Sequence, residues 1–431
     1  MNKTILFLSP TGTLTNGAEI AGLHLMKFLV KKGYNVINIP CGFGDKIYQE
    51  KMREAGVKIE PLLFNWWNGD LTPDDSMRNI QVISTINKLI KKYKPTFFIT
   101  NTADMPWGAI SASMADVPHM WLVHEDPDGE EFGWLTDKFD FIGKYSNNVL
   151  AVNSKLVKTI QKRIKNTDTF VSGFYPYTDI SSVKLAESQK SIRLVSPNFI
   201  TPRKNQLELI RALAKLHNQG VELELVMIGG EDEEYGKMIH EEVEKNNLSK
   251  FVKFMDYTPN PWQYISKDDI FVFTSSNETF GLSFVEALKL GIPAIVSDNI
   301  GFSQVYEIIK LGHIYKLGDI DDLVNKIKYV YENITDERKK AKAGVSIAND
   351  KLSLENCYKN ILEILKKNKA KNPMRENRHI EKYITAGGLN IKLDNKNYRA
   401  RAAAARVKRV VKNPKLIGKK LKKVYNRAKN S

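Results

Sequence analysis

The sequence predicts an α/β protein made of two doubly wound halves, each built around a parallel sheet. Short β-branched runs alternate with segments whose apolar residues recur every three or four positions, which is typical of βαβ units. The alternation stops in a polar stretch at residues 172–191 and then restarts. A chain of 431 residues also exceeds one ordinary domain. We therefore expect two Rossmann-like domains that face each other across a cleft.

The first half contains alternating predicted strands and helices. The strands are KTILFLS, NVINIP, VKIEPLL, PTFFIT, HMWLVHE and NNVLAVN, and the helices are AEIAGLHLMKFLVKK, NIQVISTINKLIKKY and KLVKTIQKRI. In the helices, apolar residues occur at i, i+3, i+4 and i+7, so each helix has one face that can cover a sheet. The polar stretch that follows is predicted to be a linker.

The second half repeats this organisation. Its strands are IRLVSP, LELVMIGG, FVKFMDY, IFVFTSS and PAIVSD, and its helices are QLELIRALAKLH, EYGKMIHEEVEKN, LSFVEALKL and DIDDLVNKIKYVYENI, followed by a helical segment at 336–366. The predicted boundaries are an N-terminal domain at 1–175, a linker at 176–190, a C-terminal domain at 191–350, a terminal helix at 351–371 and a basic tail at 372–431.

Composition limits the classes of protein to consider. Cys41 and Cys357 match no metal or disulfide spacing, which predicts two free thiols in a reducing compartment. No run approaches about 18 apolar residues, and the N-terminal run is too short for a signal peptide, so we expect a cytoplasmic protein without a transmembrane helix. The net charge is +16, but residues 366–431 carry 22 Lys/Arg and 3 Asp/Glu, which leaves the rest of the chain at −3.

The basic tail combines cationic and apolar residues. Val407, Val410 and Val411 share one helical face, and so do Ile417, Leu421 and Val424, with Pro414 between the two sets. Cationic helices with a narrow apolar face bind anionic membrane surfaces, and we favour this role. A solubilising disordered tail and a polyanion contact are the alternatives. The chain contains no readable nucleic-acid recognition module.

The stretch NETFGLSFVEAL places two carboxylates around a glycine turn. It follows a predicted buried strand, IFVFTSS, and leads into a helix that should begin near Leu282. The first N–H groups of a helix are free, and they favour anionic or hydroxyl-rich ligands. Glu278, in the loop, can accept hydrogen bonds from sugar hydroxyls, and Glu286, one turn into the helix, could bind a ribose diol. The alternative is a capping loop followed by an ordinary helical glutamate.

Two further turns resemble this one in position. Arg203 and Lys204 precede the helix at 206–216, and two cations at a strand-to-helix turn suit a diphosphate, although a solvated basic loop is the alternative. In the first βα turn, Gly12 and Gly17 flank a polar loop that matches neither a Walker motif nor a G-x-G-x-x-G fingerprint. Taken alone, that loop is a weak signal.

The order of these motifs resembles the retaining GT-B glycosyltransferases of family 4, the group 1 glycosyl transferases. The resemblance rests on Asn16-Gly17-Ala18-Glu19, Arg203-Lys204-Asn205, Glu278 with Glu286, the Phe280-Gly281-Leu282 turn and the following GIPAIVS sequence. It covers residues 1–365 loosely and 191–300 closely. One departure is Phe199, which stands where the family often has an arginine; Arg203 would have to replace it.

The resemblance implies a nucleotide-sugar donor, UDP- or GDP-linked, with no cofactor and no metal. Glu278 would bind the donor sugar and Glu286 the ribose, while Lys204 and Arg203 would neutralise the diphosphate. The backbone at Thr279, Phe280, Gly281 and Leu282 would contact sugar and phosphate, and Gly17 would close over the diphosphate from the other domain. His124 corresponds to a histidine near the reacting centre. The chemistry would proceed with retention, and the departing phosphate would help to deprotonate the acceptor.

Three features of the sequence have more than one interpretation. His124 ends an apolar strand, so it could simply hydrogen-bond there. Asp126 and Asp128 form an acid-x-acid pair that holds a metal in other glycosyltransferases, although GT-B proteins obtain their charge stabilisation from basic side chains and helix ends. Trp66 and Trp67 could stack on an acceptor sugar or pack in the core.

The predicted function is a cytoplasmic retaining hexosyltransferase that acts on a glycan, lipid-linked or protein acceptor in cell-envelope glycan or glycoconjugate synthesis. The alternatives on the same fold are a phosphorylase, a sugar-nucleotide epimerase and a non-catalytic binding partner. The non-catalytic form tends to lose its donor-site glutamates, and this chain retains both.

Overall fold

A computed structural model of the chain describes residues 3–66, 73–126, 138–164, 168–188, 191–258 and 260–367. Among them are two parallel sheets. The first has the order β3-β2-β1-β4-β5-β6-β7 and the second the order β10-β9-β8-β11-β12-β13. Both orders reverse direction beside the first strand of the sheet, so each sheet has a switch point where ligands collect in doubly wound folds. The predicted pair of doubly wound sheets is confirmed.

The strands are short and mostly buried on both faces, as expected where helices cover a parallel sheet. In the first sheet they are β1 (Thr4–Ser9), β2 (Asn35–Pro40), β3 (Lys58–Ile59), β4 (Phe97–Asn101), β5 (His119–Val123), β6 (Asn148–Ala151) and β7 (Phe170–Gly173). In the second they are β8 (Arg193–Ser196), β9 (Glu224–Ile228), β10 (Val252–Met255), β11 (Ile270–Phe273), β12 (Ala294–Ser297) and β13 (His313–Tyr315).

Helices connect the strands of both sheets. Those among the strands of the first sheet are α1 (Gly17–Lys31), α2 (Lys46–Glu54), α3 (Pro73–Tyr93), α4 (Trp107–Met114), α5 (Lys138–Tyr145) and α6 (Ser154–Arg163). The others are α7 (Gln206–Asn218), α8 (Glu233–Lys245), α9 (Leu282–Leu290), α10 (Ile300–Ile309), α11 (Ile320–Glu332), α12 (Ile334–Lys351) and α13 (Leu354–Lys367). None of the helices in the described ranges is long and apolar enough to cross a membrane.

Several elements were not predicted from the sequence. Helix α4 is buried around nearly its whole circumference, so its sequence has no polar face to reveal it. In α2 only Tyr48 and Met52 are buried. Strand β7 begins at the exposed Phe170 and extends into the predicted polar stretch. The other unpredicted elements are α5, α10 and β13, and the strand expected at VKIEPLL is only Lys58–Ile59.

The last described helix returns to the first sheet's domain. Helix α13 buries one apolar face, and its Tyr358 hydroxyl donates to the Ala21 carbonyl of α1 at 2.9 Å. The same hydroxyl accepts from the Tyr177 N–H at 3.2 Å, and Lys32 pairs with Glu355. The described residues within 1–70 and 78–377 form one compact unit.

Candidate functional site

The turn between β11 and α9 has a backbone that only glycine adopts without strain. Gly281 caps α9 with φ of 91°, and a Cβ atom there would lie 2.5 Å from the ring of Phe302. Phe280 is 3% exposed and stacks on Tyr175 with ring centroids 5.6 Å apart. The helix therefore begins at Leu282, as the sequence predicts, and a buried aromatic pair fixes the turn before it.

A carboxylate and two cations meet beside this turn. Lys204 Nζ lies 2.5 Å from Glu278 Oε1, and Arg203 Nη1 lies 3.4 Å from Glu278 Oε2. Arg203 also donates to the Asn277 carbonyl at 3.2 Å. Burial alone would raise the pKa of Glu278, but the two cations outweigh burial and hold its pKa below the usual range. The carboxylate is therefore ionised at neutral pH, and its charge orients Lys204 and Arg203.

The basic turn is shaped by local capping. The Thr201 hydroxyl accepts from the Lys204 N–H at 3.3 Å, and Asn205 has φ of 53°, so the chain turns sharply before α7. The Arg203 carbonyl accepts from the Ser276 N–H at 2.8 Å, which ties the turns after β8 and β11 together. Phe199 is half-exposed, and its ring lies against Gly230. The positive charge at this turn thus comes from Arg203 and Lys204.

Glu286 faces the segment that joins the two domains. The Thr178 hydroxyl donates to Glu286 Oε1 at 2.7 Å, and burial raises the pKa of Glu286 to about 7. The neighbouring Lys289 donates to the carbonyls of Thr178 and Leu352 at 3.1 and 3.0 Å. A hydroxyl of the linker thus fixes the Glu286 side chain in α9.

The first helix of the other domain begins at the same place. Asn16 caps α1 by accepting from the Glu19 N–H at 3.2 Å. A Cβ atom on Gly17 would lie 3.5 Å from Leu282 Cδ1, so the first turns of α1 and α9 are in close proximity. The structure therefore brings Gly17 to the turn between β11 and α9 that carries Glu278, which we call the glutamate turn.

His124 follows β5 and is fixed by a neighbouring amide. His124 Nε2 lies 2.8 Å from Asn101 Oδ1, while Asn101 Nδ2 donates to the Ala18 carbonyl at 2.9 Å. Because the amide nitrogen is used on Ala18, the oxygen must accept from His124, which puts the imidazole proton on Nε2 and the lone pair on Nδ1. Burial lowers the pKa of His124 to about 3, so the ring is neutral.

The backbone around His124 is held by a buried acid. Glu125 Oε2 accepts from the N–H groups of Ala103 and His124, both at 3.0 Å. Burial, with Asp104 nearby, raises the pKa of Glu125 to about 8, and Lys138 pairs with Asp104 at 3.4 Å. His124 is therefore set in place by contacts on both its ring and its backbone.

Asn153 connects the two domains at the glutamate turn. Its Oδ1 caps α6 by accepting from the Leu156 N–H at 2.6 Å, and its Nδ2 donates to the Thr279 carbonyl, also at 2.6 Å. The next residue, Ser154, donates through N–H and hydroxyl to Gln304 Oε1 at 3.0 and 2.6 Å. The start of α6 therefore contacts both the glutamate turn and α10.

We expect Asn153→Asp to lower turnover at this site about tenfold and to lower the thermal midpoint by a few degrees, about the effect of one lost hydrogen bond. Aspartate is as good an N-cap as asparagine, so α6 keeps its cap. It has no N–H to donate, however, and its charge would face the Thr279 carbonyl. Steady-state kinetics and thermal unfolding measure the two effects. Asp232→Asn, at the cap of α8, is the matched exchange away from the site and should alter neither quantity.

The remaining predicted residues make other contacts or lie outside the described residues. Asp126 Oδ2 accepts from Asn277 Nδ2 at 3.3 Å, while Asp128 lies outside the described residues. Trp66 is 44% exposed and donates to the Pro10 carbonyl at 3.0 Å, so it is not a core residue; Trp67 is outside the described residues. The described ranges contain no group of three or more Asp, Glu, His or Cys side chains placed to hold a metal. The basic tail also lies outside them.

The sequence identified the charged members of this site but not the residues that position them. Arg203, Lys204 and Glu278 meet directly, and Gly17 lies beside Leu282. Asn101, Asn153 and Thr178 were not singled out. Asn153 had a usable signal, since an asparagine before KLVKTIQKRI is a helix-cap pattern. Its bond to Thr279, 126 positions away, had none.

The C-terminal part of the chain matches a known family. Residues 177–345 match the family model described as Glycosyl transferases group 1. An uncharacterized glycosyltransferase of Methanocaldococcus jannaschii is 22% identical over 49% of this chain and 58% of its own length. The O-antigen biosynthesis glycosyltransferase WclY of Escherichia coli is 28% identical over 27% of this chain and 35% of its own length. The matches therefore span little more than half of these relatives at most.

Solved structures establish the fold. The Anabaena protein HepE, in complex with UDP and glucose, superposes with a TM-score of 0.70 at 19% identity, over 85% of this chain and all of that chain. The GT-B fold is therefore confirmed.

Proposed function

We propose that this protein is a group 1 glycosyltransferase, a retaining enzyme that transfers a sugar from a nucleoside-diphosphate donor to a glycan, lipid-linked or protein acceptor. The observation that carries the proposal is the contact of Lys204 and Arg203 with Glu278 at the carboxyl ends of β8 and β11. An enzyme that expels a diphosphate needs fixed positive charge where negative charge develops. It also needs a polar group for the sugar, and these three side chains provide both.

The donor would bind along the turn of α9. Its diphosphate would lie between Lys204, Arg203 and the first N–H groups of α9, with Gly17 approaching from the other domain. Glu278 would accept from the sugar hydroxyls and Glu286 from the ribose. Solved structures of HepE contain UDP and UDP-glucose, which supports a nucleotide sugar as the ligand class. The E. coli relative's role in O-antigen biosynthesis supports a cell-envelope glycan.

The acceptor would bind on the side of the first domain. His124 presents a neutral ring whose Nδ1 has a lone pair that can accept from a hydroxyl. Its low pKa makes it a weak base, so the acceptor proton would pass to the departing phosphate. Lys204 would stabilise that phosphate while the new glycosidic bond forms on the same face of the sugar. Attack on the same face would retain the configuration, as the resemblance to family 4 implies.

A hydrolysis screen with the purified full-length protein tests the proposal. We expect one UDP- or GDP-linked sugar to be hydrolysed, with release of the nucleoside diphosphate and a sugar whose initial anomeric configuration matches the donor. Anomeric NMR of the first product distinguishes retention from inversion. Failure to hydrolyse or bind any nucleotide sugar would contradict the proposal. Release of an epimerised nucleotide sugar would instead indicate the epimerase alternative.

We expect EDTA to leave the initial rate of donor hydrolysis unchanged. The two cations beside Glu278 supply the charge that a metal provides in other glycosyltransferases. Rates before and after chelation, and after addition of Mg²⁺ or Mn²⁺, make the measurement. Full loss with EDTA that either metal restores would point to Asp126 and Asp128 as ligands and refute the metal-free mechanism.

We also propose that the basic tail binds anionic membranes and so brings the enzyme to lipid-linked or envelope acceptors. Each basic residue near the lipid contributes about 1 kcal/mol. The full-length protein should sediment with anionic liposomes, and a protein truncated near Asn372 should not. Neutral liposomes serve as the control, and neither protein should bind them. Equal binding by both proteins, or by neither, would remove the membrane role and leave the catalytic proposal intact.

A further inference from the structure

Lys289 is a buried lysine on α9 whose side chain reaches both segments that join the two domains. It is 4% exposed, and its Nζ donates to the Thr178 carbonyl at 3.1 Å and to the Leu352 carbonyl at 3.0 Å. Burying an ammonium group is costly unless new hydrogen bonds replace its bonds to water. None of the roles assigned above uses this lysine, so its burial requires another explanation.

Thr178 and Leu352 lie where the chain passes from one domain to the other, and we call these two segments the crossovers. The first crossover runs from β7 of the first sheet to β8 of the second, and it contains Thr178. The second lies between α12, whose Val345 is close to Gly291 at the end of α9, and α13, which bonds to α1. One side chain therefore fastens both crossovers to the helix that carries Glu286.

The surroundings of Lys289 use its whole hydrogen-bonding capacity. An ammonium group has three N–H donors, of which two are used on the carbonyls. The Tyr177 ring centroid lies 4.3 Å from Nζ, where the ring stabilises the positive charge. No hydrogen bond joins Lys289 to Glu286 in the part of the chain that the structure describes. Apart from the attraction between their charges, Lys289 therefore acts on Glu286 by way of Thr178.

Thr178 links the position of Lys289 to that of Glu286. Its carbonyl accepts from Lys289, and its hydroxyl donates to Glu286 Oε1 at 2.7 Å. Threonine is β-branched and stiff at χ1, so a fixed backbone also fixes the direction of the hydroxyl. The other carboxylate oxygen, Glu286 Oε2, makes no hydrogen bond within the described residues. It is therefore the oxygen that can accept from a ligand.

We propose that Lys289 is a positioning residue for the ribose contact: by fixing Thr178, it holds Glu286 so that Oε2 accepts from a ribose hydroxyl of the donor. This inference rests on the proposed donor site, in which Glu286 binds the ribose. A glutamate that is free to change rotamer loses conformational entropy when a ligand orders it. With Thr178 held by Lys289, that entropy is lost on folding, and binding is correspondingly tighter.

The test compares nucleoside diphosphates that have and lack one ribose hydroxyl. Calorimetry with the full-length protein measures the affinity of UDP and GDP, and then of the 2′-deoxy and 3′-deoxy forms of the one that binds. We define the ribose discrimination as the ratio of the affinities for the ribonucleotide and for its weaker-binding deoxy form. A loss of folded protein does not change this ratio, because both ligands meet the same molecules. At pH 8, above the Glu286 pKa of about 7, the carboxylate is ionised.

We expect the wild type to discriminate about tenfold or more, the scale of a hydrogen bond to a charged group. Thr178→Val removes the hydroxyl and keeps the branched shape, so it should lower the discrimination about fivefold, while Thr178→Ser should preserve it. Lys289→Met removes both N–H donors at similar length and should lower the discrimination to a similar extent. The double variant should lose little more than either single one, since the two residues act along one path.

Lys351→Met is the matched control for the lysine. Lys351 also donates to a backbone carbonyl, that of Ile308, at 2.6 Å, and it directly precedes Leu352 in the second crossover. It makes no hydrogen bond to Thr178 within the described ranges. Its substitution removes the same kind of contact beside the same crossover, so the ribose discrimination should stay at the wild-type value.

The outcomes separate this inference from the function beneath it. Failure of the wild type to bind either UDP or GDP would refute the proposed function. If the wild type discriminates and Thr178→Val discriminates equally well, Lys289 has no path to Glu286 and the inference is wrong, whether or not Lys289→Met folds. If Lys289→Met weakens the ribonucleotide and the deoxynucleotide equally, the lysine only holds the crossovers together. Equal affinity of the wild type for both forms would show that Glu286 does not bind the ribose and would also overturn the inference.

Discussion

Glu278→Gln is expected to reduce turnover on the order of 10³-fold, near the upper end of the effect of losing one charge-stabilising group. Glutamine has nearly the same shape as glutamate, but it cannot neutralise Lys204 and Arg203. Lys204 would lose the ionised partner that lies 2.5 Å away and that orients it. The sugar would also lose a charged hydrogen-bond acceptor. Steady-state kinetics with the donor identified by hydrolysis, at saturating concentration, measure the loss.

The matched control for this variant is Glu241→Gln on α8. Glu241 is an exposed glutamate on a different helix, so the exchange removes the same charge without affecting the turn of α9. It should keep wild-type activity. Thermal unfolding of Glu278→Gln should show a folded protein, because Glu278 lies in a loop and not in the core. Wild-type turnover by Glu278→Gln would refute the claim that Glu278 acts on the bound donor.

Lys204→Ala should reduce turnover by at least about 10²-fold, because it removes positive charge from the proposed site of the leaving diphosphate. Arg203 is about half-exposed and lies farther from Glu278, so it cannot replace a lysine whose side chain is 15% exposed. The substitution also leaves Glu278 with less neutralising charge, so its pKa should rise. Rates of donor hydrolysis and their pH dependence measure these two consequences, and calorimetry measures the nucleotide affinity.

Lys215→Ala controls for the loss of a paired lysine. Lys215 forms an exposed ion pair with Asp321, and such pairs contribute between 0 and about 1 kcal/mol to stability. Its removal should not alter catalysis. Glu286→Ala gives a second check, since it should weaken donor binding more than it slows chemistry. Unchanged nucleotide affinity in both Lys204→Ala and Glu286→Ala would mean that the donor site lies elsewhere.

The sequence predicted the parts of the fold that have a strong periodic signal. Helix α7 and strand β11 are clear because burial follows their amphipathic or β-branched pattern. Helix α4 was missed because the sheet and neighbouring helices bury it almost completely, so burial no longer alternates along its sequence. Strand β7 was missed because it lies at a sheet edge and begins with an exposed residue.

Some residues of the candidate site could likewise be predicted from the sequence and others could not. Glu278, Lys204 and Arg203 were predictable because charged residues at strand-to-helix turns are conspicuous in sequence and turns at a switch point converge in space. The contact of Gly17 with α9 depends on how the domains are placed, and no local pattern encodes it. Asn153 and Thr178 act through single hydrogen bonds across more than 100 positions. Neutral polar residues of this kind look like ordinary caps and linker residues.

The return of α13 to α1 has a consequence for how the protein is made. The ribosome completes α1 more than 300 residues before Tyr358, whose hydroxyl bonds to the Ala21 carbonyl. Until then the part of α1 that α13 covers remains open to solvent or to chaperones. Nascent chains that stop between the two domains should therefore be more prone to aggregate than full-length chains, although they contain every strand of the first sheet.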